Sequence, residues 1–243
     1  MRSLLKRWEQ LPQELQNDSV RPYYEALSRK RGQLLLKRVF DILLSLVLLV
    51  LLSPVMLILA LAIRLDSPGE VLFRQVRVTQ YGQEFRIFKF RTMVANAQQL
   101  GTQVTVQGDM RITRVGKLLR KCRLDELPQL YNVLFGSMSF VGPRPELLRY
   151  TEAYEGEEKQ ILEVRPGITD FSSIEFISLD EIVGTENADE MYEKYVLQRK
   201  NRLRIRYAQE VSLRTDVYLF FKTVGCALKK ALRIARAGNG EKA

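Results

Sequence analysis

Residues 42–63 read ILLSLVLLVLLSPVMLILALAI, 22 positions without one charged side chain. As a helix rising about 1.5 Å per residue, the stretch is about 33 Å long, against a hydrocarbon layer about 30 Å thick. It begins too deep in the chain and runs too long for a cleaved secretory leader, and no small-residue cleavage site follows it. The chain therefore reads as a membrane protein with one hydrophobic segment. Ser53-Pro54 sits in the middle of it. Pro54 has no N–H, so the carbonyl of Val50 loses its helical partner unless a neighbour such as Ser53 supplies one. Arg29, Lys30, Arg31, Lys37 and Arg38 precede the segment, and Arg64, Arg74 and Arg77 follow it. Basic flanks on both sides conflict with a plain span. A helical hairpin broken at Pro54 returns both flanks to the cytoplasmic side, each arm reaching roughly 15 Å into the layer. A single kinked span is the alternative, and these features alone are compatible with either.

Outward from this segment the 243 residues are ordinary in composition: 46% hydrophobic, 27% charged, with 38 Lys plus Arg against 28 Asp plus Glu. Wholesale disorder is excluded. The absence of histidine excludes a Ser-His-Asp triad, a His-ligated metal and an imidazole base. Cys122 and Cys226 stand far apart without metal-site spacing, which suits a reducing compartment. Three regions are expected: an N-terminal extension over 1–33, the membrane segment over 34–66, and a domain over 67–243 with C-terminal interfacial helices. Pro12 and Pro22 break the extension, which reads as a polar, helical or partly ordered lead-in, with Trp8, Tyr23 and Tyr24 as candidates for the membrane interface. Strand-like Val71–Val78, a turn at Tyr81-Gly82 and alternating Glu84–Phe90 predict a β-hairpin. Residues 94–108 read as a loop. Short helices are expected over Lys117–Arg123 and Leu127–Phe135, the second stopped by Gly136, and longer ones over Glu146–Val164 and Tyr192–Tyr207. From Val217 on, Val217, Phe220, Phe221, Val224 and Leu228 share one helical face, with Lys222, Lys229 and Lys230 elsewhere. That pattern suits a helix lying among lipid headgroups, or an ordinary core-facing helix, with Asp216 as its N-cap. The fold class is mainly α with one small β-hairpin.

The polar chemistry is densest between Lys89 and Thr169. Lys89 and Arg91 fall on one face of a strand. Asp125-Glu126 immediately precedes Leu127-Pro128, and proline favours the first turn of a helix. The pair is thus expected at a helix N-terminus, ionised and less basic than usual, near Arg120 and Arg123. Two adjacent carboxylates can bind Mg²⁺ through one or two oxygens, with substrate phosphates completing the shell. Arginines grip phosphate bidentately, and Arg144 is stiffened between Pro143 and Pro145. Without histidine, an Asp carboxylate is a candidate nucleophile toward phosphorus. By themselves, however, Asp125 and Glu126 read most simply as a helix cap paired with Arg120 and Arg123. Arg111 and Arg114 serve phosphate or solvate a loop equally well, Asp109 reads as a turn or cap residue before a second metal ligand, and Cys122 as a partly buried helix residue.

Seven blocks change this balance: K-R-V-F-D at 37–41, Ser53-Pro54, K-F-R-T-M at 89–93, G-K-L-L-R at 116–120, L-D-E-L-P-Q-L-Y-N-V-L at 124–134, S-F-V-G-P-R-P at 139–145 and V-R-P-G-I-T at 164–169. In this order they resemble the bacterial sugar transferases, the monotopic polyprenyl-phosphate phosphoglycosyl transferases that initiate surface glycans. The resemblance covers roughly residues 34–170. It implies Asp125 as the nucleophile on the sugar-linked phosphorus of a UDP-sugar, Glu126 as the Mg²⁺ ligand, and Lys89, Arg91, Arg120 and Arg144 as phosphate-binding cations. It further implies a re-entrant hairpin over 34–66 turned at Ser53-Pro54, a cytoplasmic catalytic domain over 67–243, a polyprenyl (undecaprenyl) phosphate acceptor, and a place on the cytoplasmic face of the bacterial inner membrane among anionic lipids. The chain departs from the family after Thr169: Asp170-Phe171-Ser172-Ser173-Ile174-Glu175 stands where many members carry Gly-Leu-Ala-Gln-Val, and no arginine follows until Arg199. A non-catalytic membrane-tethered scaffold for glycan assembly is the reading from another class. Nucleic-acid binding is not expected, because the basic residues flank apolar segments instead of interleaving with aromatics; anionic lipid accounts for them better. A homo-oligomer is compatible with the sequence, which does not specify the sugar.

Overall fold

The computed structural model describes residues 4–97, 108–177 and 188–240. Helix α1 (Arg21–Ser28) leads into α2 (Arg31–Asp66), which contains the whole apolar segment. Pro54 lies inside α2, so the break expected at Ser53-Pro54 is not an end of the helix. Ser53 Oγ donates to the Val50 carbonyl at 2.8 Å, replacing the N–H that Pro54 lacks. One face of α2 is buried through Arg38, Asp41, Ser45, Leu49 and Ile63. The other leaves Leu43, Leu46, Val47, Val50, Leu51, Leu57, Ile58 and Leu61 exposed.

Strands β1 (Leu72–Val78) and β2 (Glu84–Phe90) form the expected antiparallel hairpin, in the register Leu72 to Phe90 and Val78 to Glu84. Its turn passes through left-handed Tyr81 and Gly82. Helix α3 (Arg114–Lys121) starts three residues before the expected Lys117 and is capped by Thr113, whose side chain accepts from Gly116 N. Helix α4 (Gln129–Phe135) ends on left-handed Gly136. Strands β3 (Ser139–Val141) and β4 (Gly167–Thr169) pair in parallel, a pairing that three-residue segments do not announce by alternation. Between them, the expected continuous helix over 146–164 is instead α5 (Leu148–Glu152) followed by a 3₁₀ stretch, Gly156–Glu163. Helix α6 (Phe171–Glu175), α7 (Gln198–Glu210, entered through the π-helical turn Tyr192–Leu197) and α8 (Leu213–Gly240) complete the order. Residues 98–107 of the expected loop lie outside the described residues.

The described part of the N-terminal extension contributes to the core from Leu5 to Leu27. Leu11, Leu15, Tyr23, Tyr24 and Leu27 are buried with Tyr81 and Phe85 of the hairpin, and Trp8 packs on Tyr24 at 5.2 Å. Tyr23 and Tyr24 are therefore core residues, not interfacial ones. Asp216 is likewise not a cap: it lies inside α8, buried, accepting from Lys37 Nζ at 2.6 Å and the Tyr207 hydroxyl at 2.7 Å. Ser212 caps α8, its Oγ accepting from Thr215 N. Cys122 is exposed, at the C-terminal cap of α3.

The K-R-V-F-D block anchors α2 to the rest of the chain. Lys37 also donates to the Val141 carbonyl at 2.8 Å. Arg38 donates to Val133 O and Leu134 O, carbonyls in the last turn of α4. Asp41 accepts from Phe140 N at 3.2 Å. At the other end of α2, Asp66 accepts from Val115 N of α3 at 3.0 Å.

The β3–β4 pair brings Gly142 and Gly167 into backbone contact: a Cβ on Gly167 would lie 2.1 Å from Gly142 N. We expect Gly167→Ala to cost about 1–3 kcal/mol by overpacking and to lower the thermal midpoint of the detergent-solubilised protein. Gly225→Ala in α8, where nothing lies within 4 Å, should not lower that midpoint, because Ala is the better helix former.

Candidate active site

Asp125 and Glu126 sit in a single 3₁₀ turn, Leu124–Glu126, between α3 and α4. Arg123, left-handed at φ 58°, turns the chain into it, and Pro128 caps α4 just beyond. The expected position at a helix start is met. The expected common chemistry is not, because the two carboxylates have opposite surroundings.

Glu126 is clamped by cations from three directions. Arg144 grips it with both guanidinium nitrogens, NH1 to Oε2 at 3.3 Å and NH2 to Oε1. Lys89 Nζ, near the end of β2, is 3.5 Å from Oε1 and Arg123 is 3.6 Å from it. Burial alone would raise the Glu126 carboxyl; Arg144, then Lys89 and Arg123, outweigh it and hold the group well below the usual carboxylate range. Asp125 is buried, and its Oδ1 has no hydrogen-bond partner among the described residues. Burial, then the neighbouring Glu126 charge, push its pKa above the ordinary value, against the pull of Lys89, Arg120 and Arg123. Burial also lowers Lys89 to about 8.

Of the predicted phosphate-binding cations, Lys89, Arg120 and Arg144 gather around the two carboxylates, whereas Arg91 does not. Its guanidinium donates to the Ser67 carbonyl at 2.6 Å and the Pro68 carbonyl at 2.7 Å, tying down the chain that leaves α2. Arg91 lies just past the end of β2, so the alternation that would have aimed it beside Lys89 no longer applies. Arg111 is forked onto Asp109, with NH2 to Oδ2 at 2.6 Å, so this pair holds a turn.

Arg144 is positioned from behind by residues that the sequence did not single out. Its backbone N donates to Asp170 Oδ2 at 3.2 Å and its NH1 to the Ile168 carbonyl at 3.2 Å. Asp170 is fully buried and also caps α6 by accepting from Ser173 N and the Ser172 hydroxyl. Two residues past Arg144, Glu146 is buried against Arg204, with Arg77 at 3.7 Å and the Tyr192 hydroxyl at 2.8 Å. Burial would raise the Glu146 carboxyl, but Arg204 and Arg77 hold it at about 2. Arg204, Tyr192 and Arg77 are remote in sequence, and only Glu146, adjoining the P-R-P block, carried a local signal.

The oxygens available to a divalent cation here are those of Asp125 and Glu126. Among the described residues no group of three or more acidic, Cys or His side chains is gathered, so a cage made wholly of protein is not present there. Among the described residues Asp125 Oδ1 has no hydrogen-bond partner, and Glu126 Oε2 accepts from Arg144 NH1 at 3.3 Å. Adjacent carboxylates with spare lone pairs suit Mg²⁺, which keeps waters and takes oxygens from substrate phosphates.

The clamp has a measurable pH signature. Glu126 titrates below its unfolded value, so its contribution to stability is present above about pH 4.5 and is lost as pH falls through the folded pKa. Arg144→Ala should therefore destabilise by about 1.5–3 kcal/mol near neutrality. The difference from wild type should shrink toward pH 3 in denaturant titrations of the detergent-solubilised protein; an equal deficit at both pH values would contradict the clamp.

The profile of the family described as bacterial sugar transferase matches residues 32–230. A UDP-N-acetylgalactosamine-undecaprenyl-phosphate N-acetylgalactosaminephosphotransferase of Aeromonas hydrophila is 40% identical over 192 residues, 78% of this chain and 43% of that protein. A UDP-glucose:undecaprenyl-phosphate glucose-1-phosphate transferase of Escherichia coli (strain K12) is 39% identical over 198 residues, 78% of this chain and 39% of that protein. A transferase of the same description from Caulobacter vibrioides is 38% identical over 193 residues, 78% of this chain and 68% of that protein. The chain thus spans about two fifths of the length of the first two relatives. With most of its length inside the profile, and the blocks that hold Asp125, Glu126 and Arg144 all within the match, the chain belongs to the bacterial sugar transferase family.

Proposed function

We propose that the chain transfers a sugar-1-phosphate from a UDP-sugar to polyprenyl phosphate, through a phosphosugar-aspartate on Asp125. One observation carries this reading: of two adjacent carboxylates, Glu126 is held by Arg144, Lys89 and Arg123, while Asp125 keeps a buried oxygen without a hydrogen-bond partner among the described residues. Their pKa values are pushed apart accordingly, a separation that assigns distinct roles. Glu126, held ionised by three cations, is a poor nucleophile. Asp125, buried, raised and with one oxygen unpartnered, is the better one. In the first step an Asp125 oxygen bonds to the sugar-linked phosphorus, and the bond from that phosphorus to the bridging oxygen breaks, releasing UMP. In the second, the phosphate oxygen of the polyprenyl acceptor bonds to the same phosphorus and the Asp125 carboxylate leaves. Arg144, Lys89, Arg120 and Arg123 receive the negative charge of the diphosphate and of the departing UMP. Mg²⁺, held by Glu126 and the substrate phosphates, would supply further charge neutralisation. Burial of Asp125 keeps water from the acyl-phosphate.

The acceptor is a lipid, which requires the site to lie at the membrane surface. The apolar, outward-facing side of α2 supports insertion in the bilayer. Both ends of α2 are tied to one domain, residues 37–41 to α4, β3 and α8 and Asp66 to α3. That supports a re-entrant hairpin with the domain on the cytoplasmic face of the inner membrane, because a straight span would carry one end about 30 Å away.

Two experiments test these points. UMP release should be measured across a panel that includes UDP-glucose and UDP-N-acetylgalactosamine, the sugars named for relatives, with polyprenyl phosphate and Mg²⁺. Asp125→Asn should abolish turnover and trapping of radiolabelled phosphosugar on the protein; normal turnover by that variant ends the mechanism, and no UMP release from any donor favours a scaffold. For topology, single cysteines at exposed Arg29 and Glu70, in a background lacking Cys122 and Cys226, should both resist impermeant maleimide in intact cells. Labelling of one alone refutes the hairpin.

A further inference from the structure

Helices α6, α7 and α8 line a surface groove of about 590 Å³ whose lining does not include Arg144. Its floor is apolar, with Phe171, Ile174 and Leu203, and its rim is basic, with Arg206, Arg214 and Lys222. The two acids that line it are already engaged: Glu175 with Arg199 at 2.9 Å, and Glu210 with Arg206 at 2.9 Å. Arg214 and Lys222 have no carboxylate partner among the described residues, Lys222 donating only to the Tyr218 hydroxyl at 3.0 Å. The groove therefore presents uncompensated positive charge over an apolar floor.

The faces of α8 say what that charge is for. Buried Asp216 and Leu219 and half-buried Thr223 form its inward stripe, joined to Lys37, the core and Thr169. Arg214, Tyr218 and Lys222, spaced i, i+4, i+8, form a second stripe along the groove. Val217, Phe221 and Val224 form a third, exposed and wholly apolar, directly beside the second. The depth of α8 is set by the 2.6 Å contact of Asp216 with Lys37, five residues before α2 becomes uniformly apolar at Ile42. If α2 enters the bilayer as proposed above, on which this inference rests, the cationic stripe lies at headgroup depth and the apolar stripe faces the acyl chains.

We propose that this groove seats the phosphodiester headgroup of an anionic glycerophospholipid, with Arg214 and Lys222 on its phosphate and its acyl chains along Val217, Phe221 and Val224. Such a lipid would hold α8, and through the contact of Thr223 with Thr169 the β3–β4 pair, at a fixed height over the membrane. The chemistry selects an anionic lipid over a zwitterionic one, because the uncompensated charge of the rim is of one sign.

The test uses the full chain in nanodiscs containing a phosphatidylglycerol that carries a diazirine near its headgroup, with cross-linked peptides mapped by mass spectrometry. Labelling is expected on peptides covering 171–175 and 213–222 as well as on α2. Arg214→Glu with Lys222→Glu should cut groove labelling about tenfold and leave α2 labelling intact, whereas Lys194→Glu with Arg202→Glu, exposed cations outside the groove, should change neither. On the unmutated protein, excess phosphatidylglycerol should compete and phosphatidylcholine should not. Equal labelling by a phosphatidylcholine probe, or displacement by polyprenyl phosphate but not by phosphatidylglycerol, overturns the assignment while α2 remains labelled. Absence of labelling on α2 as well overturns the membrane reading beneath it.

Discussion

Three charges on one face of α2, just ahead of its uncharged stretch, constrain how the neighbouring elements pack around the base of the helix. Lys37, Arg38 and Asp41 stand at the point where α2 becomes uniformly apolar, and a charge left unpaired beside lipid costs several kcal/mol. Each is matched by a group that cannot be elsewhere: Asp216 and the Val141 carbonyl, the final carbonyls of α4, and the Phe140 amide. Satisfying these three places α4, β3 and α8 around the base of α2 at once. Since Glu126 immediately precedes the turn into α4, and Arg144 follows β3 by three residues, the anchor also sets how far the clamp lies from the apolar segment.

Around that anchor, the two adjacent carboxylates differ in their surroundings. The residues are neighbours in sequence and both feel Lys89 and Arg123, yet Glu126 receives the bidentate grip of Arg144 while Asp125 keeps a buried oxygen with no hydrogen-bond partner among the described residues. The low-dielectric surroundings amplify both effects: the paired group becomes a firmer anion and the unpaired one a stronger base. Arg144 can clamp because its own backbone is held, by Asp170 at its amide and by the buried Glu146–Arg204 pair two residues on. Asp170 opens the stretch in which this chain departs from the resemblance. Its carboxylate caps α6 and supports Arg144 together, so the divergent stretch is joined to the shared site through a single side chain, and α6 beyond it forms a wall of the cationic groove.

The sequence alone determined those features in which a residue's neighbours a few positions away decide the outcome. The apolar segment, the hairpin of β1 and β2, the Gly136 stop of α4 and the placement of Asp125-Glu126 ahead of Pro128 follow from periodicity, composition and backbone stereochemistry, which are local properties. Ser53 compensating for Pro54 is of the same kind, since its partner is three residues away. Tertiary structure alone decided where a long side chain ends. Lys89 and Arg91 are two residues apart, yet one reaches Glu126 and the other the carbonyls of Ser67 and Pro68. Asp216 sits beside a helix start but is claimed by Lys37 and Tyr207, and Tyr23 and Tyr24 go to the core because the hairpin offers them Tyr81 and Phe85. The opposite pKa shifts of Asp125 and Glu126 are likewise invisible in the chain, because they depend on burial and on charges that arrive from β2 and from the loop after β3. Neither quantity has a sequence period; both come into being when distant segments pack.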